Sequence, residues 1–391
     1  MRILYFSRSY TVHDRNFLEK LASRHEVGYL RLDGGDSATE FRSLPEAVLP
    51  LNMAGGTTST DPAELVRLMP EVERLISGFG PDILLAGPIQ GPTLLAALSG
   101  FHPLAAMSWG SDVLLKAKSS SLMEWATTKA LSATDLLVCD CQAVRKQASQ
   151  YADFSGDRAV VFPWGVELDR FSPSGDANPI RTELGWEDKL VLLSTRSFEP
   201  VYAIDVLLKA FAIAREQAPE LRLLLAGDGS LAGQVDRLVD ALGLAGAVHR
   251  LGRVGHDRLP ALFRVADVYV SCSFSDGSSV SLLEAMASGL PAVVSALESN
   301  AEWVDQGVNG WLAEPGNVAM FADGLVRAAN LEPGEFKTMG KANRAVAESR
   351  ADWHKNIGKL FMAYERLVPF SPENAVNTET AKHGALGMSR S

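Results

Sequence analysis

The chain has 391 residues, 47% of them hydrophobic and 21% charged, which is the balance of a soluble globular protein too long for a single core. Its net charge of −10 argues against a nucleic-acid binder, because Lys and Arg are not in excess to meet phosphates. Three cysteines, Cys139, Cys141 and Cys272, form neither a disulfide framework nor a zinc spacing, which fits a reduced, cytoplasmic protein.

The first residues, Met-Arg-Ile-Leu-Tyr-Phe-Ser-Arg, carry an apolar run too short for a signal peptide. They read instead as a strand. Phe17, Leu18 and Leu21 then fall at helical spacing, and Val27 to Leu32 alternates as a second strand. The segment from Ile83 to Ser111 has no formal charge, but Pro88, Gly91, Pro92, Gly100 and Pro103 cut it into strand and helix lengths, so it reads as core and not as a membrane span. The runs "DILLAGP", "LAAMSW", "DLLVCD" and "AVVFPW" each end in a turn signal, with helical stretches between most of them. Cys139-Asp140-Cys141 ends one such run and reads as small core residues, not a redox pair.

Residues 172–181, "SPSGDANPIR", are polar and rich in Pro, Gly and Ser, as a linker is. The alternation then restarts with "LVLLSTR", "LRLLLAGDG", "VHRLGRV", "DVYVSCS", "LPAVVS" and "GWLAEP", separated by helices such as "AIDVLLKAFAIAREQAP". Strands alternating with helices define a parallel sheet covered on both faces. The expected fold class is therefore α/β, with two Rossmann-like doubly wound domains facing an interdomain cleft, over residues 1–171 and 182–352. A last amphipathic helix lies within 353–370 and is expected to return to the N-terminal domain, while 371–391 is polar and expected to be disordered.

Common chemistries fail on spacing. Gly227, Gly229 and Gly233 follow a strand, but the third glycine is out of register and Arg250 and Arg253 stand where a ribose-binding acid belongs, so the NADP fingerprint is incomplete. No Gly-x-Ser-x-Gly pentapeptide occurs, and the seven histidines, at 13, 25, 102, 249, 256, 354 and 383, are scattered, which leaves metal catalysis unsupported. "SDGSSVSLLEAMASGLP" is more informative. A helix over Ser281 to Ser288, stopped by Gly289 and Pro291, places the Gly277-Ser278-Ser279-Val280 amides at its N-terminus, where an anion is favoured. Glu284, one turn in, suits a bidentate bond to a vicinal diol such as ribose, and Asp276 can reach other hydroxyls of the same ligand. Equally, Asp276 reads as a cap and Glu284 as a solvated helix acid. His13-Asp14, after the first strand, either orients an acceptor or caps the next helix. Trp109 and Asp112 end another strand, and Trp109 is a candidate to stack on a sugar or to pack in the core.

"SDGSSVSLLEAMASGLPAVVSALESNAEWVDQGVNGWLAEPGN" resembles the signature of family 4 of the retaining glycosyltransferases, which have the GT-B fold. "PWGVELDRF", "LRLLLAGDG", "HRLGRV" and "LFRVADVYVSCS" follow in that family's order. The resemblance implies that Arg196 neutralises a donor diphosphate and that Gly227 and Gly229 lie close to the nucleotide. It also implies that the Val254 backbone reads the base and that Glu284 binds ribose. Asp276, Gly277 and the amides of Ser278, Ser279 and Val280 would hold the transferred sugar and phosphate. Arg196 and Asp276 are then the catalytic candidates, with His13, Asp14, Trp109 and Asp112 on the acceptor side and His13 also a catalytic candidate.

The implied partners are a UDP- or GDP-sugar and a glycan, lipid-linked or small-molecule acceptor, with no metal or other cofactor. A lipid-linked acceptor would bring a peripheral contact with the inner face of the membrane. The chain departs from the family at four places: Asp276 stands where a Glu is usual, Tyr202 where a Lys is usual, Trp109 where a His is usual, and "SYTVHDRN" replaces a Gly-rich loop. These departures keep open a catalytically weak nucleotide-sugar-binding protein of the same fold, with an NADP oxidoreductase as a third reading.

Overall fold

The computed structural model describes residues 1–35, 40, 42–175 and 179–368. The segment 371–391, read above as a disordered tail, lies outside the described residues, as do positions 176–178 within the polar linker. Two parallel sheets form the scaffold. The first contains β1 (Arg2–Ser7), β2 (Glu26–Arg31), β3 (Val48–Leu51), β4 (Ile83–Ala86), β5 (Leu104–Met107), β6 (Leu136–Cys139) and β7 (Ala159–Val161), in the order β3-β2-β1-β4-β5-β6-β7. The second contains β8 (Leu190–Ser194), β9 (Leu221–Leu225), β10 (Val248–Arg250), β11 (Val268–Ser271), β12 (Ala292–Ser295) and β13 (Gly310–Ala313), in the order β10-β9-β8-β11-β12-β13.

Every apolar run named above as a strand forms one, and most are buried along their whole length, as parallel strands covered on both faces must be. One strand escaped the sequence pattern. β3, Val-Leu-Pro-Leu, is half exposed and carries Pro50, which sheets tolerate only at an edge where its missing N–H faces no neighbour. The charge-free segment resolves into β4, a short helix Leu94–Leu98 and β5, all in the interior. Cys139 and Cys141 are buried free thiols.

In each sheet the winding direction reverses beside the first strand, between β1 and β4 and between β8 and β11. The chain crosses between the domains twice, and the two crossings are tied together. Val166 donates its amide to the Ala351 carbonyl at 2.7 Å and accepts from Trp353 at 3.1 Å. Gly165, at φ +59, makes this approach possible, since a Cβ there would lie 2.6 Å from the Ala351 carbonyl oxygen. After the second crossing the helix Trp353–Leu367 lays Trp353, Ile357, Leu360, Phe361 and Tyr364 into the N-terminal core with Tyr5, Phe17 and Phe162. Among the described residues no helix is long and apolar enough to cross a membrane.

Candidate active site

A cleft with a volume of about 500 Å³ lies between the carboxyl ends of the two sheets, where open α/β folds bind ligands. Its C-terminal-domain wall comes from the segments after β8 and β11, the strands flanking the switch point, with His256 and Leu259 added from the segment after β10.

Arg196 follows β8 and projects into the cleft with both terminal nitrogens of its guanidinium held. Nη2 pairs with Asp276 at 2.8 Å. Nη1 donates to Ser279 Oγ at 3.0 Å and Ser281 Oγ at 3.1 Å. The Tyr202 ring lies beneath it at 4.0 Å, a cation–π contact that orients the plane of the fork. Burial works against the charge, but Asp276 and the surrounding phenols more than offset it and raise its pKa, so Arg196 is a fixed cation. Burial raises the Asp276 pKa, with Arg196 opposing that shift. Tyr202 thus supplies orientation where a lysine would supply a second charge. The turn that aims it is strained: Ala203, at φ 47, is the one non-glycine in the left-handed region among the described residues.

The helix Val280–Ala287 begins one residue earlier than its sequence pattern indicates and ends at Gly289, φ +77. Glu284 is 4% exposed, so it is not a solvated surface acid. Its Oε1 lies 3.1 Å from His256 Nε2. His256 is a site residue that the sequence pattern did not reveal; it stands in a turn with no motif of its own, and only the fold brings it to Glu284. Ser281 was missed for the same reason, and its hydroxyl also meets Tyr269 at 2.7 Å.

The facing wall belongs to the N-terminal domain. His13 sits between Trp109 and Trp164, with ring centroids 5.6 and 5.8 Å away, and the two indoles pack edge to face at 4.5 Å. Burial, reinforced by His256, pushes the His13 pKa down to about 4, so its imidazole is neutral. Asp140, at the end of β6, reaches across the cleft. Its Oδ2 accepts from the Ser278 amide at 2.8 Å, and its carbonyl accepts from Ser278 Oγ at 2.9 Å.

Several expected site residues do other work. Gly277 accommodates the N-terminal domain: a Cβ there would collide with the Asp140 carboxylate, and its backbone also packs on Gly110. The Ser278 amide, expected to be free for an anion, is engaged by Asp140. Gly227 and Gly229 do not line the cleft, because they pack against the backbone of Arg196 and Phe198, where any side chain would clash. The Val254 side chain packs partly buried against the C-terminal-domain core, which leaves the expected role of its backbone untouched. Asp14 forms a capping box with Thr11 and accepts from Tyr5 at 3.0 Å. Asp112 accepts from the Ile89 amide at 3.0 Å and Ser108 Oγ at 2.7 Å. Both acids are buried and hold loops in place, which removes them from the acceptor side. His13, Trp109, Arg196, Asp276, Ser278, Val280 and Glu284 do line the cavity, while Ser279 sits behind Arg196 as its hydrogen-bond partner. Among the described residues no group of three His, Cys, Asp or Glu is placed to hold a metal ion.

Two doubly wound parallel-sheet domains joined by a double crossing, with the cleft at their facing carboxyl edges, make this a GT-B protein. The chain belongs to the glycosyl transferases group 1 family, whose model matches residues 176–367, and a glycosyl transferase 4-like model matches residues 2–141. It is similar to the D-inositol 3-phosphate glycosyltransferase of Streptomyces avermitilis, 29% identical over 63% of this chain and 58% of that protein. The Geodermatophilus obscurus protein of the same name is 32% identical over 64% of this chain and 56% of its own length. The match thus spans less than two thirds of these curated relatives. Among solved structures, Anabaena Alr3699/HepE in complex with UDP superposes with a TM-score of 0.75 at 19% identity, covering 94% of this chain and 100% of that one. Sucrose-phosphate synthase from Thermosynechococcus elongatus reaches 0.80 at 17% identity, with 94% and 99% coverage. At these identities the likeness speaks for the fold alone.

Proposed function

We propose that the protein is a retaining glycosyltransferase that moves a sugar from a UDP- or GDP-activated donor to a hydroxyl of a glycan, lipid-linked or small-molecule acceptor. The observation that carries this reading is the oriented Arg196 guanidinium beside the start of the helix Val280–Ala287, in a cleft between two doubly wound domains. Such a group meets the charge that develops on a departing diphosphate, and a fixed cation needs no reorganisation as the bond breaks. On this reading Glu284 accepts from the ribose hydroxyls through the oxygen that His256 leaves free. Neutral His13 can accept the acceptor hydroxyl's hydrogen bond, and Trp109 offers an apolar face for a sugar ring. In front-face displacement the acceptor oxygen bonds to the anomeric carbon from the side the diphosphate leaves, and the proton passes to the departing phosphate oxygen. The family membership and the Anabaena structure's complex with UDP-glucose support a nucleotide-sugar donor for this chain.

A second reading, a catalytically weak nucleotide-sugar-binding protein, draws on one feature: both Nη atoms of Arg196 are already engaged, and Tyr202 brings no second cation. A panel of UDP- and GDP-sugars with glycan, lipid-linked and inositol-type acceptors separates the two. Transfer with retention of the anomeric configuration supports the enzyme. Saturable binding without turnover supports the second reading, and no binding by any donor refutes both.

A further inference from the structure

Asp140 is not explained by holding Ser278 alone. It lies at the end of β6, in the N-terminal domain, and is 5% exposed. One oxygen, Oδ2, takes the Ser278 amide. The other, Oδ1, is buried without a hydrogen-bond partner, although the weak-donor Cys141 thiol interacts with the same carboxyl. Asp140 also lines the cleft beside the start of the helix Val280–Ala287. A buried polar atom with no partner costs free energy unless something arrives to satisfy it.

The charges around it restrict what arrives. The cleft is lined by four carboxylates, Asp140, Glu167, Asp276 and Glu284, against one guanidinium, Arg196. Two of the four are matched: Asp276 by Arg196, and Glu167 by Arg170 at 2.6 Å. Glu284 faces His256. Asp140 has no cation among these partners. From its own side it faces Cys141, and Glu302 of the C-terminal domain caps the helix that follows at the Gln142 amide, 3.0 Å away. From the other domain it faces Asp276. An ionised Asp140 would repel an incoming diphosphate across a water-poor gap.

We propose that Asp140 is a donor ligand supplied by the N-terminal domain, which enters the closed cleft as the neutral acid and donates its free carboxyl O–H to a phosphate oxygen of the nucleotide-sugar. The Ser278 amide continues to bond Oδ2, so one carboxyl joins the two domains and the donor. Donor binding then draws a fraction of a proton from solvent that grows toward one as the pH rises above 7. Burial, with Asp276 adding to it, pushes the Asp140 pKa up to about 7, so this uptake falls in an accessible range. This inference rests on the nucleotide-sugar reading above and adds a residue that bridges both domains.

The test is calorimetric titration of the full chain with UDP-glucose and GDP-mannose at pH 6, 7 and 8, in buffers of different ionisation enthalpy. These donors are diphosphate diesters whose own charge does not change over that range. Wild type is expected to bind the accepted donor about tenfold more weakly at pH 8 than at pH 6, because the neutral fraction of a group titrating near 7 falls by that factor. Proton uptake should rise toward one per donor at pH 8. Asp140→Asn, a permanent mimic of the neutral acid, should lose the pH slope and bind more tightly than wild type at pH 8. Asp140→Ala should bind more weakly than Asp140→Asn at every pH. A flat wild-type profile overturns the inference, as does a slope that survives in Asp140→Asn. If neither donor binds wild type, the nucleotide-sugar reading itself falls.

Discussion

Replacing Arg196 by methionine isolates the energetics of the site. The substitution roughly preserves the apolar stem and leaves Asp276 where it is, 19% exposed at its side chain and without its partner at 2.8 Å. Breaking a buried ion pair from one side costs about 3–5 kcal/mol, chiefly through the uncompensated charge. Partial exposure of Asp276 lets water share that penalty, so the lower end, about 3 kcal/mol at pH 7, is expected. The deficit has a sign in pH. Burial already raises the Asp276 pKa and Arg196 opposes that, so the variant's folded-state pKa rises further above the unfolded value. A carboxyl raised in the folded state favours folding at low pH and loses that advantage as pH rises through its unfolded and then its folded pKa. Urea unfolding followed by tryptophan fluorescence should therefore show a large deficit at pH 7 that shrinks by pH 4.5. Adding Asp276→Asn should recover most of it without restoring transfer. A deficit below about 1 kcal/mol, or one independent of pH, would refute the view that Asp276 depends on Arg196 for its charge.

Three further outcomes are expected. Tyr202→Ala should lower turnover more than donor affinity by freeing the guanidinium plane, and Tyr202→Phe, which keeps the ring, should restore most of it; equal effects of the two variants would exclude stacking as the cause. Gly277→Ala should hold the cleft open against Asp140 and Gly110, measured as weaker donor binding and a larger radius of gyration in solution scattering, with little change in the stability of either domain. Asp14→Ala removes a capping box and should cost about 1–2 kcal/mol at low pH, where the carboxyl is neutral in the folded and the unfolded chain alike. Because burial raises the Asp14 pKa to about 6, the wild type loses stability as pH climbs from about 4 to 6; Asp14→Ala should lack that slope and leave donor affinity unchanged.

Much of this molecule was legible in one dimension. The apolar runs of four to six residues bounded by Gly, Pro and polar turns marked the buried parallel strands, because a strand covered on both faces must be apolar throughout. β3 was not legible, since an edge strand with a proline and two exposed positions carries no such run. The helix Val280–Ala287 and its glycine stop were legible from local signals, as was Glu284 as a cleft residue, while Arg196 was picked out only by the family resemblance.

What the sequence determined alone, then, is which segments become strands and helices and which polar residues stand at strand ends, because propensity, periodicity and capping act over a few neighbouring residues. The tertiary structure decided the partners. Asp276 is Arg196's counter-ion, Tyr202 is its platform and Asp140 holds the Ser278 amide. Asp14 and Asp112 turned from candidate ligands into loop anchors. Hydrogen bonds and ion pairs act within a few ångströms, and residues 138 positions apart, such as Asp140 and Ser278, come within that range only when two domains close on each other.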